Sequence, residues 1–263
     1  MKIFIPILAY NRMAHVAFMM SITRLVLLLR DNNISATVYP ITFESLVSRA
    51  RNAAAAHMLS DSETTHLLFI DADIEFNAED VLRMIQKEKE VIVGTYPQKF
   101  LNINKTAIVL SQSPQPDNPM QLCTILPEHR FAPGTAGDYV ETDGLITVKY
   151  ATTGFMLIKR AVFERLMERF PESKYINDID GYGSANPDMF YNFFPSEINQ
   201  ASKKYESEDF GFCRLWREVG GEIHVLTDVS LSHIGWFEFK ANLARQRDFF
   251  GKLVADKEKA VSV

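Results

Sequence analysis

The sequence predicts an α/β fold with a mostly parallel central sheet. Two observations carry that expectation. Short apolar runs alternate with helical segments through the first 95 residues, and polar turn residues stand between them. KIFIPIL, residues 2–8, reads as a buried strand closed by Pro6 and the polar turn beyond it. A helix is expected from about Ala14 to Arg30, with Val16, Met19, Met20, Thr23, Val26 and Leu27 as its core face at helical spacing. ATVYPI gives a second strand. SLVSRARNAAAAHML is rich in alanine and reads as a strong helix. HLLFI, residues 66–70, is apolar throughout, as a strand buried on both faces must be. NAEDVLRMIQ opens with Asn77 as an N-cap and acids in the first turn, so it is a helix. EVIVGTY is a fourth strand.

The middle of the chain changes character. SQSPQPDNP, residues 111–119, has the Pro-rich polar composition of a mobile loop. VETDGLITV carries Asp143-Gly144 between two alternating runs and predicts a mid-chain hairpin. TGFMLIKRAVFERLMERF returns to strand and helix. Asn177 to Lys204 has little periodicity and is expected to form a lid or binding loop. Within it, Tyr191, Phe193 and Phe194 are candidates for an acceptor platform or for anchors of that loop. A helix starts near Glu208, two short strands follow, and the tail 238–258 reads as a C-terminal helix. No internal repeat or linker divides the 263 residues, so one domain is expected.

Composition bounds the function. A hydrophobic content of 47% fills a core, and the net charge of -5 offers no basic footprint. A nucleic-acid partner held through many phosphates is therefore disfavoured, although a local patch would escape this test. Cys123 and Cys213 form neither metal spacing nor a disulfide framework, which points to a reducing cytoplasm. Arg24 interrupts AFMMSITRLVLLLR, and MKIFIPILAY lacks a small-residue cleavage site. Neither a membrane span nor a signal peptide is expected.

The chemistry starts at HLLFIDADIEF, residues 66–76. Asp71, Asp73 and Glu75 recur at every second position behind an apolar strand. On an extended chain Asp71 and Asp73 share a face, and two such carboxylates repel unless a cation lies near. Mg²⁺ or Mn²⁺ suits them, since these ions take one or two carboxylates plus substrate phosphates. The bland alternative is that both acids cap the next helix or face solvent. A haloacid-dehalogenase-type phosphatase would use Asp71 as nucleophile. That pattern carries Thr or Val soon after the second Asp and lies on the first strand. Here Ile74-Glu75 follow, and two strand-helix units precede.

A second constellation is SEDFGFCRLWREVGGEIHVLTDVSLSHIG, which sets Glu208-Asp209 at a helix start and His233 on a later strand. Together with SRARNAAAAHML, FIDADIEF, GTYPQK and TTGFMLIKR in order, it resembles the GT-A glycosyltransferases, especially inverting family-2-like enzymes of virus and phage type. The resemblance runs from KIFIPIL to SHIG. It implies a single Rossmann-like GT-A domain, with a nucleotide-binding part at about 1–95, an acceptor part at about 96–240 and the C-terminal helix. It further implies a metal-dependent transfer of a sugar from a nucleotide-sugar donor, most simply a UDP-sugar, to a hydroxyl acceptor with inversion. The acceptor would be a glycan, a glycoprotein, a lipid-linked sugar or a modified nucleobase.

Residue by residue, the resemblance makes Asp73 the direct metal ligand and His233 its protein partner, with Asp71 on the ribose or on a metal-bound water. Imidazole suits Mn²⁺ better than Mg²⁺. Asp209 becomes the general base, and Glu208 bonds the acceptor or steadies the helix start. Plain helix capping is the alternative for that pair. Pro6 and Leu8 would meet the base and ribose. Arg49 and Asn52 share a helix face and would reach the nucleotide, with Arg51 ranked below them and a solvated surface charge as the alternative for Arg49. Thr153 and Gly154 would floor the sugar pocket, where glycine admits a close ligand, with a simple bulge as the alternative. Trp236 would stack on a sugar or pack in the core. His15, His57, His66 and His129 have no spaced partner and read as structural. A non-catalytic nucleotide or carbohydrate binder on the same fold is the alternative from another class.

Overall fold

A computed structural model describes residues 1–101, 104, 127–129, 131–133, 141–182, 184–236, 238–249 and 251. In chain order the elements are β1 (Lys2–Leu8), α1 (Val16–Asp31), β2 (Ser35–Ile41), α2 (Val47–Ser60), β3 (His66–Ile70), β4 (Ile74–Glu75), α3 (Ala78–Gln86) and β5 (Val91–Gly94). Then come β6 (Pro97–Leu101), β7 (Pro127–His129), β8 (Phe131–Pro133), β9 (Leu145–Ala151), β10 (Phe155–Lys159) and α4 (Arg160–Arg169). The last are β11 (Glu197–Ile198), β12 (Tyr205–Glu206), α5 (Glu208–Glu218), β13 (Ile223–Leu226), β14 (Ser230–Ile234) and β15 (Glu238–Asn242).

Eight strands form the central sheet in the order β2-β1-β3-β10-β5-β13-β9-β8. β1 lies parallel to β2 and β3, and β5 lies parallel to β13. β10 is inserted antiparallel between β3 and β5, and β9 runs antiparallel to both β13 and β8. Only β9 and β10 therefore oppose the common direction. The result is a mixed α/β architecture with a mostly parallel sheet.

Alternation along the strands feeds a core on each face. Ile3, Ile5, Leu68 and Ile70 pack with Phe18, Leu25 and Leu29 of α1 and Val81 of α3. Phe4, Leu67 and Phe69 pack with the alanines of α2, Phe163 of α4 and Trp216 of α5. On α1 the expected core stripe is on the wrong side. Val16, Met19, Met20 and Leu27 are exposed, whereas Phe18, Ser21, Ile22, Leu25 and Leu29 are buried. Ser21 is accepted there because its hydroxyl donates to the Phe76 carbonyl at 2.8 Å and accepts from the Phe76 N–H at 3.2 Å.

The Asp143-Gly144 turn forms as expected. Both residues have positive φ (55° and 71°), and Thr142 and Leu145 exchange backbone hydrogen bonds of 2.9 and 3.0 Å. The segment after Asn177 is held down by its aromatics. Phe190, Phe193 and Phe194 are buried, and Phe194 stacks on Phe212 at 4.8 Å. Phe193 and Phe194 are thus anchors, not an exposed platform. The tail differs too: residues 238–242 are strand β15, and helix begins at 243. Aligning with β14 satisfies the backbone of 238–242 better than a helix starting in solvent would. The loop expected at 111–119 lies outside the described residues, as does the tail beyond 251. No described helix is long and apolar enough to cross a membrane.

Candidate active site

The acidic turn sits at the carboxyl end of β3, beside the carboxyl end of β1. That edge is where open parallel sheets build their ligand crevices. Asp71 through Asp73 is not extended. The Ile74 N–H donates to the Asp71 carbonyl at 3.0 Å, closing a turn between β3 and β4. The two carboxylates consequently part company. Asp71 accepts from Arg51 Nη2 at 3.1 Å, while Asp73 accepts from Lys99 Nζ at 2.6 Å. Each of the two carboxylates thus faces a protein cation of its own.

A second, three-stranded sheet, β15-β14-β4, brings His233 to Asp73. In its register His233 pairs with Ile74, and the Ile234 N–H donates to the Asp73 carbonyl at 2.8 Å. His233 Nε2 ends 3.5 Å from Asp73 Oδ2. His233 Nδ1 lies 2.8 Å from the Pro97 carbonyl, which can only accept, so Nδ1 carries the proton of that bond. With Nδ1 committed to that carbonyl, Nε2 is the ring nitrogen that faces the Asp73 oxygen. Orientation of a ligating imidazole by a backbone carbonyl is a recurrent feature of metal centres. Burial works against the Asp73 charge, yet hydrogen bonds from His233 and Lys99 hold its carboxyl down at about 2.

Among the described residues no cluster of three or more His, Cys, Asp or Glu side chains converges as a metal cage. Two protein donors, one carboxylate and one imidazole, do not make a closed structural zinc site. They do suit a Mg²⁺ or Mn²⁺ ion that completes its shell with phosphate oxygens and water. The donor set therefore fits the expected ion through Asp73 and His233, and Asp71 is engaged elsewhere.

Arg51 joins the two constellations. It is 3% exposed, lies 5.1 Å over the Phe69 ring, and reaches Asp71 at 3.1 Å and Glu208 at 3.4 Å. Those two carboxylates keep the guanidinium charged against the cost of burial. Arg51 Nη1 is buried with no hydrogen-bond partner among the described residues, although Arg51 lines the cleft. Asp209, the next residue on α5, accepts from its neighbours Ser207 Oγ and Phe210 N–H. Its other oxygen makes no hydrogen bond among the described residues.

The cleft itself encloses about 470 Å³. Leu8, Tyr10, Met13 and Val47 form its apolar wall, and Arg51, Asp71, Asp73 and His233 its polar floor. A larger cavity of about 780 Å³ lies along residues 174–190 and shares no lining residue with it.

Of the expected site residues, Leu8, Asp71, Asp73 and His233 line this cleft, and Glu208 touches it through Arg51. Pro6 is buried within β1 and does not line it. Arg49 is turned away, forming a two-pronged pair with Glu44 at 2.5 and 2.9 Å. Asn52 is buried, bonding Asn192 and the Phe194 N–H at 3.0 Å each, so it braces the aromatic segment. The ranking of Arg51 below its neighbours is reversed. Gly154 is occupied by protein: a Cβ there would meet the Tyr96 hydroxyl at 2.4 Å, and its carbonyl accepts the Asp71 N–H at 2.9 Å. Thr153 is buried, and its hydroxyl has no partner among the described residues. His15, expected to be bland, lines the cleft and donates its N–H to the Ala72 carbonyl at 3.1 Å. Tyr10, Met13 and Lys99 were not anticipated. The loop after β1 carries no motif, though its place at a strand's carboxyl end was the available signal. Trp236 is fully exposed.

No family model and no curated protein matches the sequence. Similar chain paths occur among solved structures. A197 from STIV is 13% identical with a TM-score of 0.45, over 89% of this chain and 86% of that one. The 4-diphosphocytidyl-2C-methyl-D-erythritol synthase from Anaerococcus prevotii is 11% identical with a TM-score of 0.34, over 68% and 78%. Likeness at this level does not extend to activity.

Proposed function

We propose that the chain is a metal-dependent glycosyltransferase that takes a nucleotide-sugar donor, with the uridine nucleotide chosen on the sequence resemblance. The observation that supports this reading is the meeting of Asp73 and His233, 3.5 Å apart, at the floor of a cleft with an apolar wall. Leu8, Tyr10 and Met13 offer that wall to a base, and Tyr10 is 63% exposed and free to stack. Arg51 holds Asp71 in place for the ribose. Mn²⁺ or Mg²⁺ held by Asp73 and His233 would offset charge on the departing nucleoside diphosphate.

Asp209 is the residue we assign to take the proton from the acceptor hydroxyl as that oxygen attacks the anomeric carbon. The bond to the diphosphate oxygen breaks as the new glycosidic bond forms, with inversion. Ser207 and the Phe210 N–H both bond one Asp209 oxygen and hold the carboxylate in place. The phosphatase alternative needs Asp71 free to attack, and Arg51 holds its Oδ1.

The test is transfer or hydrolysis of UDP-sugars with Mn²⁺, before and after EDTA. Loss of turnover in EDTA is expected, and undiminished turnover contradicts the metal role. Asp209→Asn should abolish transfer while UDP binding stays close to wild type. Normal turnover in that variant removes Asp209 from the mechanism.

A further inference from the structure

Strand β6 brings two residues to the site, Pro97 through its backbone and Lys99 through its side chain. Pro97 holds His233 through its carbonyl, and Lys99 holds Asp73 through its ammonium. Lys99 Nζ and His233 Nε2 both address the same atom, Asp73 Oδ2, at 2.6 and 3.5 Å. Gly235 makes room for the lysine stem, since a Cβ there would lie 3.2 Å from Lys99 Cδ. The Lys99 side chain is 38% exposed, which leaves its ammonium open to solvent on the side away from Asp73. An ammonium on a four-carbon stem is a mobile point charge, and phosphate oxygens are among its strongest partners.

We propose that Lys99 is a tethered counter-ion of the cation site. It competes with a divalent ion for Asp73 in the empty cleft and moves to the donor's diphosphate when the donor binds. The first half stands on geometry. An ammonium at 2.6 Å and a divalent ion on the same carboxylate oxygen repel each other at short range. The metal alone then binds weakly, and donor and metal enter together. The second half rests on the nucleotide-sugar reading above. It makes Lys99 a positive group on the leaving diphosphate beside the metal, a role that neither Asp71 nor Asp73 can supply.

The probe is Mn²⁺ alone, followed by electron paramagnetic resonance of the free ion, with no nucleotide and no turnover. Lys99→Met should bind Mn²⁺ about tenfold more tightly than wild type, the value of one charge-assisted hydrogen bond. Lys99→Arg keeps the competing charge and should stay near wild type. Lys99→Met/Asp73→Asn should lose the gain. Adding UDP should tighten Mn²⁺ binding by a larger factor in wild type than in Lys99→Met. Equal Mn²⁺ affinity of wild type and Lys99→Met, or no binding to either, overturns the competition. The donor reading fails separately. If Lys99→Met gains Mn²⁺ affinity but UDP binds no form, the competition stands and the donor is wrong. If UDP and Mn²⁺ bind wild type together and Lys99→Met changes nothing, the donor reading stands and Lys99 has no such role.

Discussion

Replacing Arg51 with Met removes a charge that ties the acidic turn to the start of α5. The arginine makes a 3.1 Å bond to Asp71, a longer 3.4 Å bond to Glu208 and a contact over Phe69. Hydrogen bonds between charged groups contribute about 1.5–3 kcal/mol each, and a cation over a ring about 1 kcal/mol. Glu208 is long-bonded, and methionine regains part of the packing on Phe69. Asp71 is 29% exposed and Glu208 14%, so water relieves some of the charge left behind. The net loss should be about 3 kcal/mol, at the lower end for breaking a buried ion pair. Urea unfolding measures it directly, and the melting temperature should fall by roughly 6–12 °C for a chain of this size. Adding Asp71→Asn removes one stranded carboxylate and should return about 1 kcal/mol, as coupled neighbours do. If Arg51→Met unfolds within about 0.5 kcal/mol of wild type, the arginine does not hold the site together.

Two further outcomes follow from the packing. His66 is buried at the start of β3, and burial, helped by Lys159 and the N-terminus, lowers its pKa to about 4. The unfolded chain takes up that proton near 6.5 and the folded one resists until about 4. Its contribution is therefore complete above pH 6.5 and is lost as pH falls toward 4. Between pH 7.5 and 5 wild type should lose about 2 kcal/mol more than His66→Gln in urea titrations, and parallel losses would contradict this. Gly154→Ala drives a methyl into the Tyr96 ring and hydroxyl, at 2.4–2.5 Å. It should cost about 1–3 kcal/mol, much of which disappears in a Tyr96→Ala background. A Gly154→Ala protein that melts like wild type would show that the ring gives way freely.

The strands and helices were legible because each relies on local pattern. HLLFI reads as a doubly buried strand, and α5 begins at Glu208 as its acids announce. Direction was not legible. TGFMLIK looks the same whether it runs with or against its neighbours, and β10 runs against both. The face of α1 was not legible either. Nearly every residue from 16 to 29 is apolar, so two overlapping stripes compete, and the buried one contains Ser21. α2 hid Arg51 for a related reason. The helix is buried all round from Ala50 to Leu59, so no polar face tells Arg49, Arg51 and Asn52 apart. The family resemblance sets Asp73 and His233 at one site, and the fold brings side chains 160 positions apart to within 3.5 Å. Lys99 was missed, because a single lysine in YPQKF gains meaning only when β6 folds over the acidic turn.

The most direct measurement is calorimetric titration of UDP into the wild-type protein, Asp73→Asn and His233→Ala, each with Mn²⁺ and with EDTA. Binding to wild type should require Mn²⁺, and both variants should lose it while melting near the wild-type temperature. UDP that binds equally well in EDTA, or to either variant with Mn²⁺, would show that no cation on Asp73 and His233 grips a nucleoside diphosphate.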